Sequence, residues 1–277
     1  MAFTDLMTHI LPGVDDGPPS MDVSVRMAQV AAAEGTGTLV STPHLSDVML
    51  NSNLDHVRQL LADLNSRLRR ESPDGTQRIR IVPGMENRIT PELPDKVENG
   101  GPLTLNGSRF VLLSTPFATL PAYVQDVVAR LRMKRLVPIL ARPERNQVLR
   151  RDFGRMREMI QDGSLFVVTS GSITGSFGKD SQRAALKMVQ QRLAHAVVSD
   201  MHVLEGSRPP GLRRAFRWVE RATDEATAIR LLEDQPRMIL QGHSPEYELD
   251  EVKTDGRHWW RPPKPSLPGR KKRQPTP

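Results

Sequence analysis

The feature that most constrains this chain is a regular alternation between short apolar runs and amphipathic segments. Seven apolar or β-branched runs recur, and most are separated by segments with apolar residues at three- and four-residue spacing. Continuously apolar runs predict strands buried on both faces, as in a parallel sheet. Seven such units favour a closed β/α barrel over an open sheet. The runs are residues 2–6, 37–42, 78–83, 109–114, 136–141, 165–170 and 195–199, and the amphipathic segments are residues 21–35, 54–71, 121–135, 146–163 and 180–193.

The net charge of the chain is concentrated at its end. The 277 residues carry a formal net charge of +7, yet residues 253–277 alone contain eight basic side chains, one acidic side chain and six prolines, so the rest is neutral. We therefore expect one barrel domain over residues 1–250 and a disordered, basic, Pro-rich tail over residues 251–277. The tail could contact an anionic partner such as nucleic acid or lipid, but a solvated tail is the simpler interpretation.

Composition excludes several classes of chemistry. The chain contains no cysteine, so disulfides, thiolate metal sites and cysteine nucleophiles are ruled out. The N-terminus has no basic segment followed by an apolar core, and no apolar stretch is long enough to span a bilayer. We expect a cytoplasmic protein.

Several residues that bind metals follow the ends of the predicted strands. In β/α barrels the functional groups gather at these carboxyl ends. The first run continues into TDLMTHILPGVDDG, in which a histidine, a Pro-Gly turn and an acidic pair follow one another. A single histidine or acid in such a loop is more often a hydrogen-bonded structural residue, but their joint position predicts a metal site. The candidates are His9, His44, Glu86, Asp200 and His202; the remaining histidines, His56, His195, His243 and His258, are interpreted as structural.

The chain resembles a known family in seven segments that occur in the same order. They are HILPGVDDG, STPH, PGMENRI, STPF, RPERN, TSGSITGSFGK and SDMH, and the resemblance spans residues 3–242. The family is that of the bacterial PHP-superfamily protein-tyrosine phosphatases, which depend on manganese and are encoded with capsule and exopolysaccharide export systems. The resemblance implies a distorted (β/α)7 TIM-like barrel with a trinuclear metal cluster at its C-terminal face. It also implies a phosphotyrosine protein as partner, namely a bacterial tyrosine kinase.

The resemblance also assigns metal ligands, and three of them are replaced in this chain. His9, His44, Glu86, Asp200 and His202 match ligands of the family, and Asp5 matches the aspartate of its first motif. The remaining positions hold Met7, Ser114 and Arg142. In the family arrangement each of these three losses weakens a different ion of the cluster.

The three replacements differ in their chemical effect. The thioether of Met7 is a poor ligand for Mn²⁺ or another hard divalent ion, and the hydroxyl of Ser114 is a weak neutral one. Arg142 has a stronger effect because its guanidinium stays protonated and cannot coordinate a metal. It would repel a cation and attract a carboxylate or a phosphate.

Two further arginines match the residues with which the family recognises the phosphoryl group. They are Arg145 in RPERN and Arg208 in GSRPP, the second displaced by one inserted residue. A planar guanidinium suits this role because it makes paired, charge-assisted hydrogen bonds to phosphate oxygens.

Two functions remain open at this point. One is a phosphotyrosine phosphatase with impaired catalysis, in which one or two divalent ions are still held. The other is a catalytically inactive protein that binds phosphotyrosine or another anion through Arg142, Arg145 and Arg208.

Overall fold

The computed structural model describes residues 2–72 and 79–245, and these residues form the predicted alternation of strands and helices. The predicted tail, residues 251–277, lies outside the described residues, as do residues 246–250. No helix in the described part of the chain is long and apolar enough to cross a membrane. The strands of these residues are β1 (Phe3–Thr8), β2 (Thr36–Ser41), β3 (Arg80–Pro83), β4 (Glu86–Arg88), β5 (Phe110–Ser114), β6 (Val137–Ala141), β7 (Leu165–Thr169) and β8 (Ala196–Val198).

The helices of the described residues include one over each of the five predicted amphipathic segments, and the last three helices follow the final strand. They are α1 (Met21–Ala33), α2 (Leu45–Asn51), α3 (Leu54–Arg70), α4 (Leu93–Lys96), α5 (Val124–Met133), α6 (Phe153–Gln161), α7 (Ser170–Thr174), α8 (Lys179–Gln190), α9 (Arg213–Ala222), α10 (Glu225–Ile229) and α11 (Gln235–Leu240), with a π-helical segment, Arg230–Asp234, joining the last two.

The strands close into a barrel. All strand pairs are parallel, in a three-stranded sheet of order β1-β2-β3 and a five-stranded sheet of order β4-β5-β6-β7-β8. Two isolated bridges join the sheets, Thr8 with Met201 and His44 with Glu86. The His9 N–H donates to the Met201 carbonyl at 2.9 Å and the Glu86 N–H to the Pro43 carbonyl at 3.1 Å. The predicted β/α barrel is therefore confirmed, and the carboxyl ends of its strands meet at one face.

One short strand, β4, was not predicted from the sequence. The sequence predicted a single strand over residues 78–83, with Glu86 in the loop after it, whereas Glu86 begins the short strand β4. Strand β3 pairs with β2, and β4 pairs with β5. The ladder breaks after Pro83, which has no N–H to donate. Gly84 then passes so close to β2 that a Cβ there would lie 2.6 Å from Val40 Cγ1.

Helix α6 begins later than its amphipathic pattern predicted. The pattern covers residues 146–163, but the helix starts at Phe153 after a short 3-10 turn, Leu149–Arg151. The Asp152 side chain accepts a hydrogen bond from the Arg155 N–H at 2.9 Å and so caps the first turn. An acidic N-cap supplies the acceptor that the first N–H groups lack, which fixes the start of the helix there.

Alternate strand residues fill two separate layers. Leu112, Ile139 and Val167 belong to a cluster inside the barrel, whereas Val111 and Leu140 pack outward with the helices. Glu86 is opposite Leu112 in the register, so its side chain is on the inner face. Leu112, Ile139 and Val167 thus form an apolar layer inside the barrel, and the Glu86 side chain lies on the same inner face.

His195 ties β8 to β7 and is fully buried. The backbone N–H of His195 donates to the Phe166 carbonyl at 2.8 Å. The ring Nδ1 of His195 accepts a hydrogen bond from the backbone N–H of Phe166 at 3.1 Å. Burial lowers the pKa of His195 to about 3, so the folded protein holds this ring neutral at ordinary pH. The prediction of a structural role for His195 agrees with this environment.

The shifted pKa of His195 predicts a loss of stability in acid. The unfolded ring has a pKa of about 6.5, so between about pH 6.5 and pH 3 unfolding takes up a proton. The stability that His195 contributes is therefore complete above about pH 6.5. It should fall below that pH by about 1.4 kcal/mol per pH unit.

Urea unfolding from pH 7 to pH 5 measures this slope. His195→Asn keeps an acceptor for the Phe166 N–H but cannot titrate, so the variant should lose less stability on acidification than the wild type. His56→Asn, at an exposed position of α3, is the matched control and should keep the wild-type slope. Equal slopes for wild type and His195→Asn would contradict the prediction.

Candidate metal centre

The five candidate ligands come together at the carboxyl face of the barrel. His9 follows β1, His44 follows β2, and Glu86 begins β4. Asp200 and His202 come directly after β8. All but His44 are fully buried, and His44 is partly exposed. Residues from four separate strand ends therefore share one site.

His9 is at the centre of this site and lies among three carboxylates. Its Nδ1 donates to Asp15 Oδ2 at 2.7 Å, while its Nε2 faces Glu86 Oε2 at 3.2 Å and Asp200 Oδ1 at 3.8 Å. Burial alone would lower the pKa of His9, but the hydrogen bond to Asp15 and the charge of Glu86 outweigh it and raise the pKa to about 10. The surrounding negative charge therefore favours a positive charge at this position, which a metal ion bound at Nε2 would supply in place of the proton.

Asp15 fixes the orientation of His9 and of the loop after β2. Besides the His9 ring, it accepts hydrogen bonds from the His44 N–H at 3.1 Å and the Gly17 N–H at 3.0 Å. A Cβ at Gly17 would lie 2.5 Å from the His9 carbonyl oxygen, so glycine is required for this close approach. A carboxylate on Nδ1 leaves Nε2 of the imidazole directed into the site, as for a metal-ligating histidine.

Asp16 joins His44 and His202 at the outer side of the site. Its Oδ1 lies 3.1 Å from His202 Nε2 and 3.6 Å from His44 Nε2. His202 Nδ1 donates to the Asp200 carbonyl at 2.7 Å, so its Nε2 is the atom that faces Asp16. Burial and the positive charge of His9 lower the pKa of His202 to about 3, which keeps this ring neutral and able to bind a metal.

Sequence reasoning did not assign Asp16 a role in the site. The only indication was the acidic pair at the end of HILPGVDDG, and nothing in the sequence places that loop beside His44 and His202. Asp5, which matches the first family motif, lies away from the ligand groups. It accepts hydrogen bonds from the Met7 N–H at 3.3 Å and the Ser199 N–H at 3.0 Å, and burial raises its pKa to about 7.

The ligand atoms form two groups, each with all its atoms within 4.8 Å of one another. The outer group consists of His9, Asp16, His44 and His202. The inner group consists of His9, Glu86 and Asp200. His9 belongs to both, so the two positions are adjacent.

Arg142 occupies the inner group. Its guanidinium is buried, forms an ion pair with Glu86, and donates to Asp200 Oδ1 at 3.3 Å. Burial would raise the pKa of Glu86, but Arg142 and His9 hold it well below its usual range. Burial raises the pKa of Asp200, and the charge of Arg142 opposes that rise.

The other two replaced positions, Met7 and Ser114, have uncharged surroundings or partners in the described structure. Met7 is fully buried and packs in the apolar cluster inside the barrel. Ser114 ends β5, half-buried, and is paired in register with Ala141 next to Arg142. Neither side chain offers a charged metal ligand.

The two candidate phosphate-binding arginines lie at the rim. Arg145 is held between two aromatic rings, with its guanidinium carbon 4.4 Å from the Phe117 ring centre and 4.2 Å from that of Phe177. It approaches Asp200 Oδ2 at 3.6 Å. Arg208 donates to Asp16 Oδ2 at 2.8 Å. Both are partly exposed, so each could contact an anion arriving from solvent.

The polar atoms of the site fit a bound metal. Four buried ligand atoms face one another without a hydrogen bond from any described residue: His9 Nε2, Glu86 Oε2, Asp200 Oδ2 and His202 Nε2. Buried polar atoms are rarely left without a partner, and a cluster of them on imidazoles and carboxylates is typical of a metal site.

The chain is similar in sequence to known tyrosine-protein phosphatases. The chain is 32% identical to tyrosine-protein phosphatase YwqE of Bacillus subtilis over 198 residues, covering 72% of this chain and 76% of YwqE. It is 27% identical to tyrosine-protein phosphatase CpsB of Streptococcus pneumoniae over 241 residues, covering 85% of this chain and 97% of CpsB.

The chain is also similar to solved structures of metal-dependent tyrosine phosphatases. A crystal structure from work on YwqE of Bacillus subtilis and CpsB of Streptococcus pneumoniae, described as unique metal-dependent tyrosine phosphatases, matches with a TM-score of 0.78 and 28% identity, over 87% of this chain and 95% of that one. The phosphotriesterase homology protein of Escherichia coli matches with a TM-score of 0.53 at 11% identity, over 87% of this chain and 99% of that one, and so shares the fold alone.

A family model described as capsular polysaccharide synthesis, CpsB/CapC, matches residues 3–241. The resemblance found in the sequence motifs is thereby confirmed. The chain belongs to the CpsB/CapC family, whose relatives include metal-dependent tyrosine phosphatases.

Proposed function

We propose that this protein hydrolyses phosphotyrosine in a protein substrate with the help of a divalent ion, manganese or a related metal. The observation that carries the proposal is the convergence of buried imidazole and carboxylate atoms at the carboxyl face of the barrel. Of the five predicted ligands, His9, His44 and His202 lie with Asp16 in the outer group, and Glu86 and Asp200 lie with His9 in the inner group.

The catalytic roles follow from the charges of the site. A divalent ion held here would make a nucleophile available near neutral pH and offset the charge of the phosphoryl oxygens. Asp15 orients His9, and the Asp200 carbonyl orients His202, so that both Nε2 atoms face the ion position. Arg145 and Arg208 would bind the phosphoryl oxygens through charge-assisted hydrogen bonds.

The aromatic rings around Arg145 prepare it for that task. Phe117 and Phe177 hold its guanidinium on both faces, which reduces the rotamer entropy lost when it binds an anion. Burial lowers the pKa of Arg145, yet arginine remains a cation at any physiological pH. The proposed substrate-binding residues are therefore charged and largely preorganised.

The proposed substrate is a tyrosine kinase of polysaccharide export, phosphorylated on tyrosine. The relatives are named tyrosine-protein phosphatases, and the family is described by capsular polysaccharide synthesis. We propose that the reaction takes place in the cytoplasm, where such a kinase has ATP available.

A second candidate function is favoured by the position of Arg142. A buried guanidinium paired with Glu86 and Asp200 takes two carboxylates that could otherwise bind a metal. If the remaining ligands hold no ion, the protein would bind phosphotyrosine or a similar anion through Arg142, Arg145 and Arg208 without turnover.

Removal of His202 should separate these functions. Wild-type protein with Mn²⁺ should hydrolyse an aryl phosphate, and His202→Ala should lower kcat/KM by at least about 100-fold because a direct ligand is lost. His243→Ala, at an exposed position remote from the site in sequence and structure, is the control and should keep full activity. A wild-type protein that binds phosphotyrosine but never turns it over would favour the second candidate.

Arg208 should act mainly on substrate affinity. Arg208→Ala should raise KM for a phosphotyrosine peptide by about 10- to 100-fold, since a charge-assisted hydrogen bond contributes about 1.5–3 kcal/mol. Arg214→Ala, on the exposed side of α9, is the matched control. Steady-state kinetics that show an unchanged KM for Arg208→Ala would remove Arg208 from the substrate site.

A further inference from the structure

The inner part of the centre contains two buried carboxylates and, in contact with both, a guanidinium whose positive charge is permanent. Glu86 and Asp200 are both fully buried, and adjacent negative charges in such a site need a positive partner. In the described structure that partner is the Arg142 guanidinium, which reaches one oxygen of each carboxylate.

The backbone holds Arg142 and Asp200 in place for this contact. Both residues have left-handed conformations, with φ of 58° and 56°, which side-chain-bearing residues rarely adopt. The Arg142 N–H donates to the Val167 carbonyl at 3.0 Å, and the Asp200 N–H to the Met7 carbonyl at 3.1 Å. The ion pair is therefore fixed by the barrel strands and is not a chance contact of a flexible side chain.

A metal ion and this guanidinium cannot share the inner group. Arg142 contacts Glu86 Oε1 and Asp200 Oδ1, so an ion coordinated by these two carboxylates would lie directly beside a buried guanidinium, and the two cations would repel each other. The guanidinium cannot give up its proton to relieve the repulsion between two cations. Met7 and Ser114 have uncharged side chains, so they add no negative charge that would offset this repulsion.

The outer group differs because its guanidinium, Arg208, is partly exposed and, within the described part of the chain, donates only to Asp16 Oδ2, at 2.8 Å, which leaves Asp16 Oδ1 facing His202 and His44. No ion pair or hydrogen bond joins Arg142 to the outer side chains Asp16, His44 and His202 among the described residues. With His9 these side chains offer three imidazoles and one carboxylate within 4.8 Å of one another, which is a complete first coordination shell for a single divalent ion.

We infer that Arg142 takes the place of one metal ion, so that the centre binds a single divalent ion per chain in the outer group. The inference rests on the proposed metal site and adds its stoichiometry and its location. The guanidinium neutralises Glu86 and Asp200, and the ion is held by His9, Asp16, His44 and His202.

The number of bound ions tests this directly and requires no substrate. Full-length protein is stripped with EDTA, dialysed against Mn²⁺ or, separately, Zn²⁺, and its metal content is measured by mass spectrometry. The wild type should bind one ion. Arg142→His, which removes the charge and adds an imidazole, should bind two, whereas Arg151→His, an exposed arginine nine residues away, should still bind one.

Two further variants locate the ion and do not depend on the folding of Arg142→His. Asp16→Asn removes the outer carboxylate and should weaken ion binding by at least about 10-fold in a titration, as expected when a ligand loses its charge. Asp200→Asn removes an inner carboxylate and should leave the single ion in place.

Four results would overturn the inference. They are two or more ions in the wild type, no ion in the wild type, one ion in folded Arg142→His, or loss of the ion in Asp200→Asn but not in Asp16→Asn. Because none of these measurements uses a substrate, a failure of the proposed phosphatase activity would leave the ion count standing, and the reverse also holds.

Discussion

The buried contact of Arg142 with Glu86 and Asp200 determines what the rest of the centre can do. Removing one partner of a buried ion pair typically costs about 3–5 kcal/mol, whereas replacing the whole pair by apolar groups is often neutral. The contact is therefore better understood as charge neutralisation than as a source of net stability. It decides which carboxylates remain free for a metal and which do not.

The barrel makes this contact by bringing distant strand ends together. Glu86 begins β4, Arg142 follows β6 and Asp200 follows β8, and the parallel register places all three at one face. The apolar interior below them, which includes Met7, excludes water and strengthens every charge interaction above it. His9 belongs to both the inner and the outer group, so a change of charge in one group changes the electrostatic potential in the other.

Much of the fold and part of the site could be predicted from the sequence. The seven apolar runs and the amphipathic segments were enough for the barrel, and the position of residues after strand ends was enough to group His9, His44 and Glu86. The role of Asp16 was missed because it depends on how an irregular loop folds over the barrel mouth. The separate strand β4 was missed because its pairing depends on a break at Pro83, which periodicity does not reveal.

The position of a bound ion relative to Arg142 tests the central claim most directly. A crystal of the wild-type protein grown with Mn²⁺ and measured at the manganese absorption edge should show one anomalous peak, among His9, Asp16, His44 and His202. The guanidinium of Arg142 should still lie between Glu86 and Asp200. An anomalous peak between these two carboxylates, with Arg142 displaced, would contradict the account.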